Sequence, residues 1–419
     1  MKRMVIGSLF LAGYCLLFRI QIPGVIILGG FTLIVLLWLN AFLNREEEKK
    51  KDFLQITEYM QSMGMSFLLS GTEYAALQES VELFEAGKMR GILQNALKMM
   101  EESRDGKASE RAFSYIEGHY SCKKLKLLHN YIITASKVGG DYHNGIRILL
   151  KDLELWKKRQ LMFYEDLRAD KRKVNVAVIL TILLCGYVNV LAGKRISVTE
   201  GIVYQIGMMV FWCCCVGAYI LGQKWGKMDW FEQTGTYSPK EIQDKLLKHK
   251  KEALAHRIGY ETRRKILAGE FTRAFPEWML EVVLRMESKN VEVALEESYV
   301  NAPTIIRPYL GRLLGDIKNH PGQGEPYFQF ASDLRVPEVG NSMKLLYGIA
   351  KGSIMDGKEH LKELIERNYQ LENRACEQRM EKKRSLMYGC TFLPSLFGAG
   401  CMILTMSLLL MGFIGNLKI

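Results

Sequence analysis

Ser70, Ala76, Leu77, Glu79 and Ser80 recur as Ser288, Ala294, Leu295, Glu297 and Ser298, at a constant offset of about 218 residues. Further on, Ala135, Asp141, Leu149 and Leu150 answer to Ala350, Asp356, Leu364 and Ile365, with the offset shortened to about 215. Each copy is a polar block that runs straight into an apolar stretch long enough to cross a bilayer. A chain built this way has to fold two similar polar blocks and house several apolar helices. Its 419 residues leave room for two or three domains.

Mean hydropathy is near zero although 24% of the residues are charged. The average hides segregation, because apolar residues sit in long runs and charges lie between them. Five spans can be drawn: Met4–Phe18, Val25–Leu43, Val174–Ala192, Ile202–Gly222 and Leu386–Gly415. About twenty residues at ~1.5 Å each cross the hydrocarbon core, and the first run falls short of that. Pro23-Gly24 marks a turn between the first two spans, which reads as a retained hairpin; a signal peptide starting at Met1-Lys2-Arg3 is the alternative. Pro394 predicts a kink in the fifth span.

Lysine and arginine beside the spans set an expected orientation. Arg45, Lys49, Lys50 and Lys51 follow the second span, and Lys171, Arg172 and Lys173 precede the third. Lys224 and Lys227 follow the fourth, and Lys382, Lys383 and Arg384 precede the fifth. Placing all these flanks in the cytoplasm puts the N-terminus and both polar blocks inside and the C-terminus outside. Lys194 and Arg195, in the short outer loop with Glu200, dissent and are outnumbered. Asn175, Asn189 and Gln205 are the polar exceptions near span ends, and no Asp, Glu, Lys, Arg or His lies in the central part of any span. That weighs against coupled transport.

The fold class expected is therefore all-α, a polytopic helical membrane protein with two homologous cytoplasmic bundles. The domains read as a transmembrane hairpin (1–51), a first bundle (52–173), a second hairpin (174–222), a charged linker (223–269), a second bundle (270–385) and a last transmembrane helix (386–419). In the first bundle Ile56, Tyr59, Met60, Met63 and Phe67, then Tyr74, Leu77, Val81 and Phe84, then Leu125, Leu128, Ile132 and Ala135 keep helical spacing. About six helices follow, with Gly87, Gly106 and Gly118 as breakers. Ile146, Leu149, Leu153, Trp156, Gln160, Phe163 and Leu167 predict one helix of about fifty residues entering the third span, ~75 Å long. Leu361, Leu364, Asn368, Leu371 and Ala375 repeat this before the fifth span. In the linker, Ser238-Pro239-Lys240-Glu241 starts a helix. Its weak face of Ile242, Leu246 and Leu254 would dock on a partner or the bilayer, or stay solvated.

Chemistry is sparse. There is no phosphate-binding G-x-x-x-x-G-K-[ST] loop, H-E-x-x-H or G-x-S-x-G. Seven of the nine cysteines lie in apolar runs, where Cys acts as a small hydrophobe, and no C-x-x-C occurs. His119 and Cys122 form a lone H-x-x-C that reads as a turn. The net charge of +12 crowds beside the spans, which points to topology and anionic lipid, and away from nucleic acid. No catalytic residue, cofactor or metal ligand is expected. The residues singled out are two turns that could contact a partner: Gly139, Gly140 and Asp141, and Asp356 with Gly357.

The repeated unit resembles the F domain of bacterial type II secretion systems, shared with type IV pilus platform proteins and Tad pilus proteins of the TadB and TadC type. The residues that carry this are Ala135-Ser136-Lys137-Val138-Gly139-Gly140-Asp141 with Leu149-Leu150 and Lys157-Lys158-Arg159 in the first copy. In the second they are Phe275-Pro276-Glu277-Trp278, the Asn290–Ser298 helix start and Met355-Asp356-Gly357. The segment from Gly352 to Gly357 departs from the family in lacking its Gly-Glu step. The resemblance implies a platform in the bacterial inner membrane that couples a cytoplasmic secretion ATPase to pilin or pseudopilin assembly, with no enzymatic activity of its own. It also implies homo-oligomers and contact with other inner-membrane platform subunits. A transporter or permease subunit, or a membrane-anchored scaffold, is the alternative.

Overall fold

The computed structural model describes residues 2–102, 106–139, 142–192, 201–231, 240–242, 244–246, 260–352 and 354–417. The regular structure among them is helical throughout, without strands. In chain order the helices are α1 (Lys2–Leu17), α2 (Ile22–Ser70), α3 (Glu73–Leu83), α4 (Lys88–Glu102), α5 (Ala108–His119), α6 (Lys123–Val138), α7 (His143–Ala192) and α8 (Ile202–Trp225). After short helical stretches at 240–242 and 244–246 come α9 (Tyr260–Met286), α10 (Val291–Ser298), α11 (Arg307–Asn319), α12 (Glu325–Phe328), a 3-10 turn (Ser332–Leu334), α13 (Pro337–Lys351) and α14 (Ile354–Leu417).

The chain divides into two compact units. The first comprises Met1–Asp52, Arg159–Trp230 and Met380–Ile419; the second comprises Phe53–Lys158 and Phe231–Arg379. Helices α2, α7 and α14 supply residues to both.

In the first unit α2, α7, α8 and α14 are long and apolar enough to cross a membrane. Helix α1 is apolar but has 16 residues, about 24 Å of rise, short of the hydrocarbon thickness. The core gathers Tyr14, Phe18, Ile182, Tyr204, Phe211 and Trp212. The turn from α1 to α2 leaves carbonyls that no helix satisfies, and two of the polar exceptions of the spans, Asn189 and Gln205, reach them. Asn189 Nδ2 donates to the Leu17 carbonyl at 3.0 Å, and Gln205 Nε2 donates to that of Arg19 at 3.1 Å. The Tyr204 hydroxyl donates to Asn189 Oδ1 at 2.6 Å and fixes that amide in place. Arg19 itself sits at φ 48°, the left-handed residue of the turn. Tyr14 Oη donates to the Met208 carbonyl at 2.7 Å, and Trp212 Nε1 donates to Thr32 Oγ1 at 3.0 Å.

Small residues let these helices approach, as they do where apolar solvent provides no drive for association. A Cβ on Gly398 would collide with Thr181 Cγ2 and lie 3.1 Å from Cys185 Sγ. On Gly207 it would meet Leu404 at 2.5 Å. Helix α14 continues through Pro394.

The second unit holds two helical cores. In the first, Phe53, Tyr59, Met63 and Phe67 of α2 pack with Leu77, Phe113, Leu125 and Ile132, all fully or almost fully buried. In the second, Phe271, Phe275, Trp278 and Met279 of α9 meet Leu295, Leu310, Phe330, Met343 and Leu364. Asn290 caps α10 by accepting the Val293 N–H at 2.9 Å. Ile242 and Leu246 are buried on this second core. Two residues of the linker's weak apolar face are thus taken up by the chain's own bundle; Leu254, the third, lies outside the described residues. Ser238 and Pro239, the expected start of that helix, lie outside the described residues, as do Lys194, Arg195 and Glu200.

The packing of the first unit makes one prediction. Gly398→Leu forces a branched side chain into Thr181 and should destabilise the detergent-solubilised protein by about 1–3 kcal/mol. Gly13→Leu, at a glycine with open space around it, should leave the thermal melt unchanged. Equal melts for the two variants would show that α14 does not pack on α7 at this point.

Candidate functional site

Within the second unit a cavity of about 650 Å³ lies between α6 and α9. This is the size of a small-molecule or peptide-anchor site. Helix α6 turns one face to it, with Lys123, Leu127, Asn130, Tyr131 and Thr134 recurring at the three- and four-residue spacing of a helix. Helix α9 answers with Glu277, Trp278, Glu281, Leu284 and Arg285. The floor is apolar and the rim is ionic. Lys123 Nζ lies 3.0 Å from Glu277 Oε2, and Arg285 lies 2.8 Å from Glu281 and 2.9 Å from Glu297. Glu297 also pairs with Lys289. Asn144 Nδ2 donates to Glu287 at 2.8 Å, and Asn301 Nδ2 to Glu281 at 3.1 Å. The Trp278 indole N–H is held by Ser298 Oγ at 3.0 Å, which fixes the ring as a wall.

Of the residues singled out in the sequence, Gly139 lies at this cavity, which it lines together with Tyr142. Gly139 ends α6 at φ 69°, ψ −169°, a region essentially reserved for glycine, and its N–H donates to the Ala135 carbonyl at 3.0 Å. Gly145, at the start of α7, is needed for a different reason: a Cβ there would occupy the position of the Tyr131 hydroxyl. Gly140 and Asp141 lie outside the described residues. The second expected turn is relocated. Asp356 and Gly357 lie inside α14, and the break falls at Gly352, whose N–H closes α13 on the Gly348 carbonyl at 2.8 Å. Once Gly352 has ended α13, the spacing of Leu361, Leu364, Asn368 and Leu371 lets one helix start at Ile354 and run on through the former turn.

Beside the cavity, Lys124 ties the elements together. Its ammonium lies 2.6 Å from Asp152 and 3.3 Å from Glu372, over the Trp156 ring. The side chain of Asp152 is 5% exposed, so this cation compensates a charge that burial would otherwise penalise heavily. Asn368 Nδ2 donates to the Pro276 carbonyl at 2.8 Å, joining α14 to α9.

Sequence reasoning missed a second polar group. In the first core the Tyr59 hydroxyl lies 3.0 Å from His129 Nε2, and His129 Nδ1 lies 2.9 Å from Glu117 Oε1. The neutral imidazole that fits donates from Nδ1 and accepts at Nε2. Phe113 stacks on the ring at 4.3 Å. The order resembles a catalytic relay, yet Tyr59 and His129 are fully buried, so no substrate reaches the hydroxyl. The signal was available, since His129 stands four residues after Leu125 and three before Ile132 on the apolar stripe. Burial pushes the imidazole below the usual histidine value, against the opposing pull of Glu117. The lone His119 and Cys122 part company: His119 Nδ1 contacts the Tyr115 carbonyl at 2.9 Å, and Cys122 is buried, its thiol pushed up by that burial. Among the described residues no cluster of three or more His, Cys, Asp or Glu could hold a metal ion.

In the first unit the basic flanks of α2, α7, α8 and α14 come together. Arg384 lies 2.8 Å from Asp166, Lys173 lies 2.7 Å from Asp170, and Lys383 Nζ donates to the Lys227 carbonyl at 2.9 Å. Comparison with protein-family models, characterised proteins and solved structures finds no match to this chain.

His129 makes the stability of the first core depend on pH. Its folded value is lowered, so below about 6.5 the unfolded chain takes up a proton that the folded chain refuses. The contribution of His129 should be flat above that pH and stability should fall as pH drops below about 6.5. Thermal melts of the His129→Gln variant should lose most of that slope. An unchanged slope would mean that another group carries it.

Proposed function

We propose that this chain is the inner-membrane platform of a type II secretion or Tad-type pilus machine. Its two bundles would descend from one duplicated unit, and the chain would couple a cytoplasmic ATPase to pilin or pseudopilin assembly. The observation that carries this reading is the placement of the repeated residues. Ala76, Leu77 and Ser80 on α3 and Ala294, Leu295 and Ser298 on α10 are all fully buried. Both serines turn back on their own helix, Ser80 to the Ala76 carbonyl and Ser298 to that of Leu295, each at 2.8 Å. Leu149 on α7 and Leu364 on α14, matched by the repeat, are buried at the heads of the two long helices.

The remaining features support the same reading. Four apolar helices provide the anchor, and the convergence of the basic flanks accords with one cytoplasmic side. Helices α7 and α14 each carry bundle residues and span residues on one hydrogen-bonded rod, which can pass a displacement along its axis without local unfolding. On this reading the chain performs no chemistry and takes nucleotide-driven motion from another protein. The cavity between α6 and α9 lies between the two copies, where a change in their packing would be felt most.

In the native host, deletion of residues 52–172 should abolish surface pili or secreted product while turnover of the cognate ATPase stays measurable. The wild-type chain supplied in trans should restore assembly. Normal pili and secretion in the deletion strain would overturn the proposal.

A further inference from the structure

Glu46 on α2 has a side chain only 15% exposed, and lysines surround it. Lys49 Nζ lies 3.9 Å away on the same helix, and Lys227 Nζ approaches to 4.0 Å from the segment after α8. Lys171 on α7 joins them. Burial pushes its ammonium below the usual lysine value, Glu46 opposes the shift, and Lys383 on α14 adds to it. Lys383 in turn donates to the Lys227 carbonyl at 2.9 Å. Gly226 lets the chain close over the Lys171 stem, since a Cβ there would lie 2.5 Å from Lys171 Cε. Four ammonium groups from four segments therefore share one neighbourhood with Glu46. The adjacent Lys173 and Arg384 pair with Asp166 and Asp170.

The height of this cluster identifies what it meets. Lys171 stands three residues before Val174, Lys383 three before Leu386, and Lys227 two after Trp225. Each sits where an apolar helix passes into polar chain, the level of lipid headgroups. Phosphate oxygens at that level accept charge-assisted hydrogen bonds from several ammonium groups at once. We propose that Lys49, Lys171, Lys227 and Lys383 form a binding site for the phosphate of an anionic phospholipid, at the point where α2, α7, α8 and α14 leave the bilayer. The site is independent of any role in secretion. It would stiffen the junction of the four helices by replacing mutual repulsion with a shared anion.

The test uses the full chain in detergent, titrated with short-chain phosphatidylglycerol and followed by native mass spectrometry. Phosphatidylglycerol should bind, and phosphatidylcholine and inorganic phosphate should bind far more weakly. Removing two of the charges, as Lys171→Gln with Lys227→Gln, should weaken phosphatidylglycerol at least about tenfold. Because the buried Lys171 change could unfold the protein, Lys227→Gln alone and Glu46→Gln serve as partners. The first should weaken binding and the second should tighten it. Arg172→Gln and Lys51→Gln, at exposed positions outside the cluster, should leave it unchanged. Equal binding of phosphatidylcholine or inorganic phosphate would overturn the assignment. So would a loss at Arg172 or Lys51 as large as that at Lys171 and Lys227, which would mean diffuse surface attraction.

Discussion

A backbone carbonyl that ends a helix in an apolar surrounding has no water to turn to, and the first unit is organised around that constraint. The carbonyls of Leu17 and Arg19 meet the side chains of Asn189 and Gln205, with Tyr204 holding Asn189 in place. This explains how α1, too short by itself for the hydrocarbon core, still has a fixed place against α7 and α8. It also gives Asn189 and Gln205, two of the polar residues near the span ends, a structural role. Glycines 207 and 398 complete the arrangement by letting helix surfaces touch where hydrophobic association is absent.

The second unit solves a different problem. Each of its cores buries aromatic and aliphatic side chains in the ordinary way, but the ground between α6 and α9 is apolar at the base and ionic at the rim. Ion pairs as exposed as Lys123 with Glu277 contribute little individually. The better-buried Lys124, between Asp152 and Glu372, is costly to disturb. An interface held by a few polar bridges over an open cavity can shift more readily than a packed core, which suits elements that end in rods.

Much of this was legible in the residues. The three- and four-residue spacing from Ile146 to Leu167 gave α7 as one uninterrupted helix, and four of the five apolar runs fall in helices long enough to span, the first in the shorter α1. Gly139 was legible as a break because its backbone conformation admits no other residue. Other features were hidden for physical reasons. Glu277, Glu281 and Arg285 look like a solvated helix face until α6 is laid beside them, since a polar cavity wall and a wet surface share one composition. Asp356-Gly357 reads as a turn by residue type, yet tertiary packing of the following leucines carries the helix back through it. His129 showed in the sequence only as a polar residue on an apolar stripe, because its partners Tyr59 and Glu117 come from other helices.

The proposed function stands most directly on one coupling, between this chain and a separate motor. The measurement is the turnover of the cognate secretion ATPase, purified with and without the full chain reconstituted in nanodiscs. The account predicts that the ATPase co-sediments with the loaded nanodiscs and that its turnover changes on binding. An ATPase that neither sediments with them nor alters its turnover would contradict it.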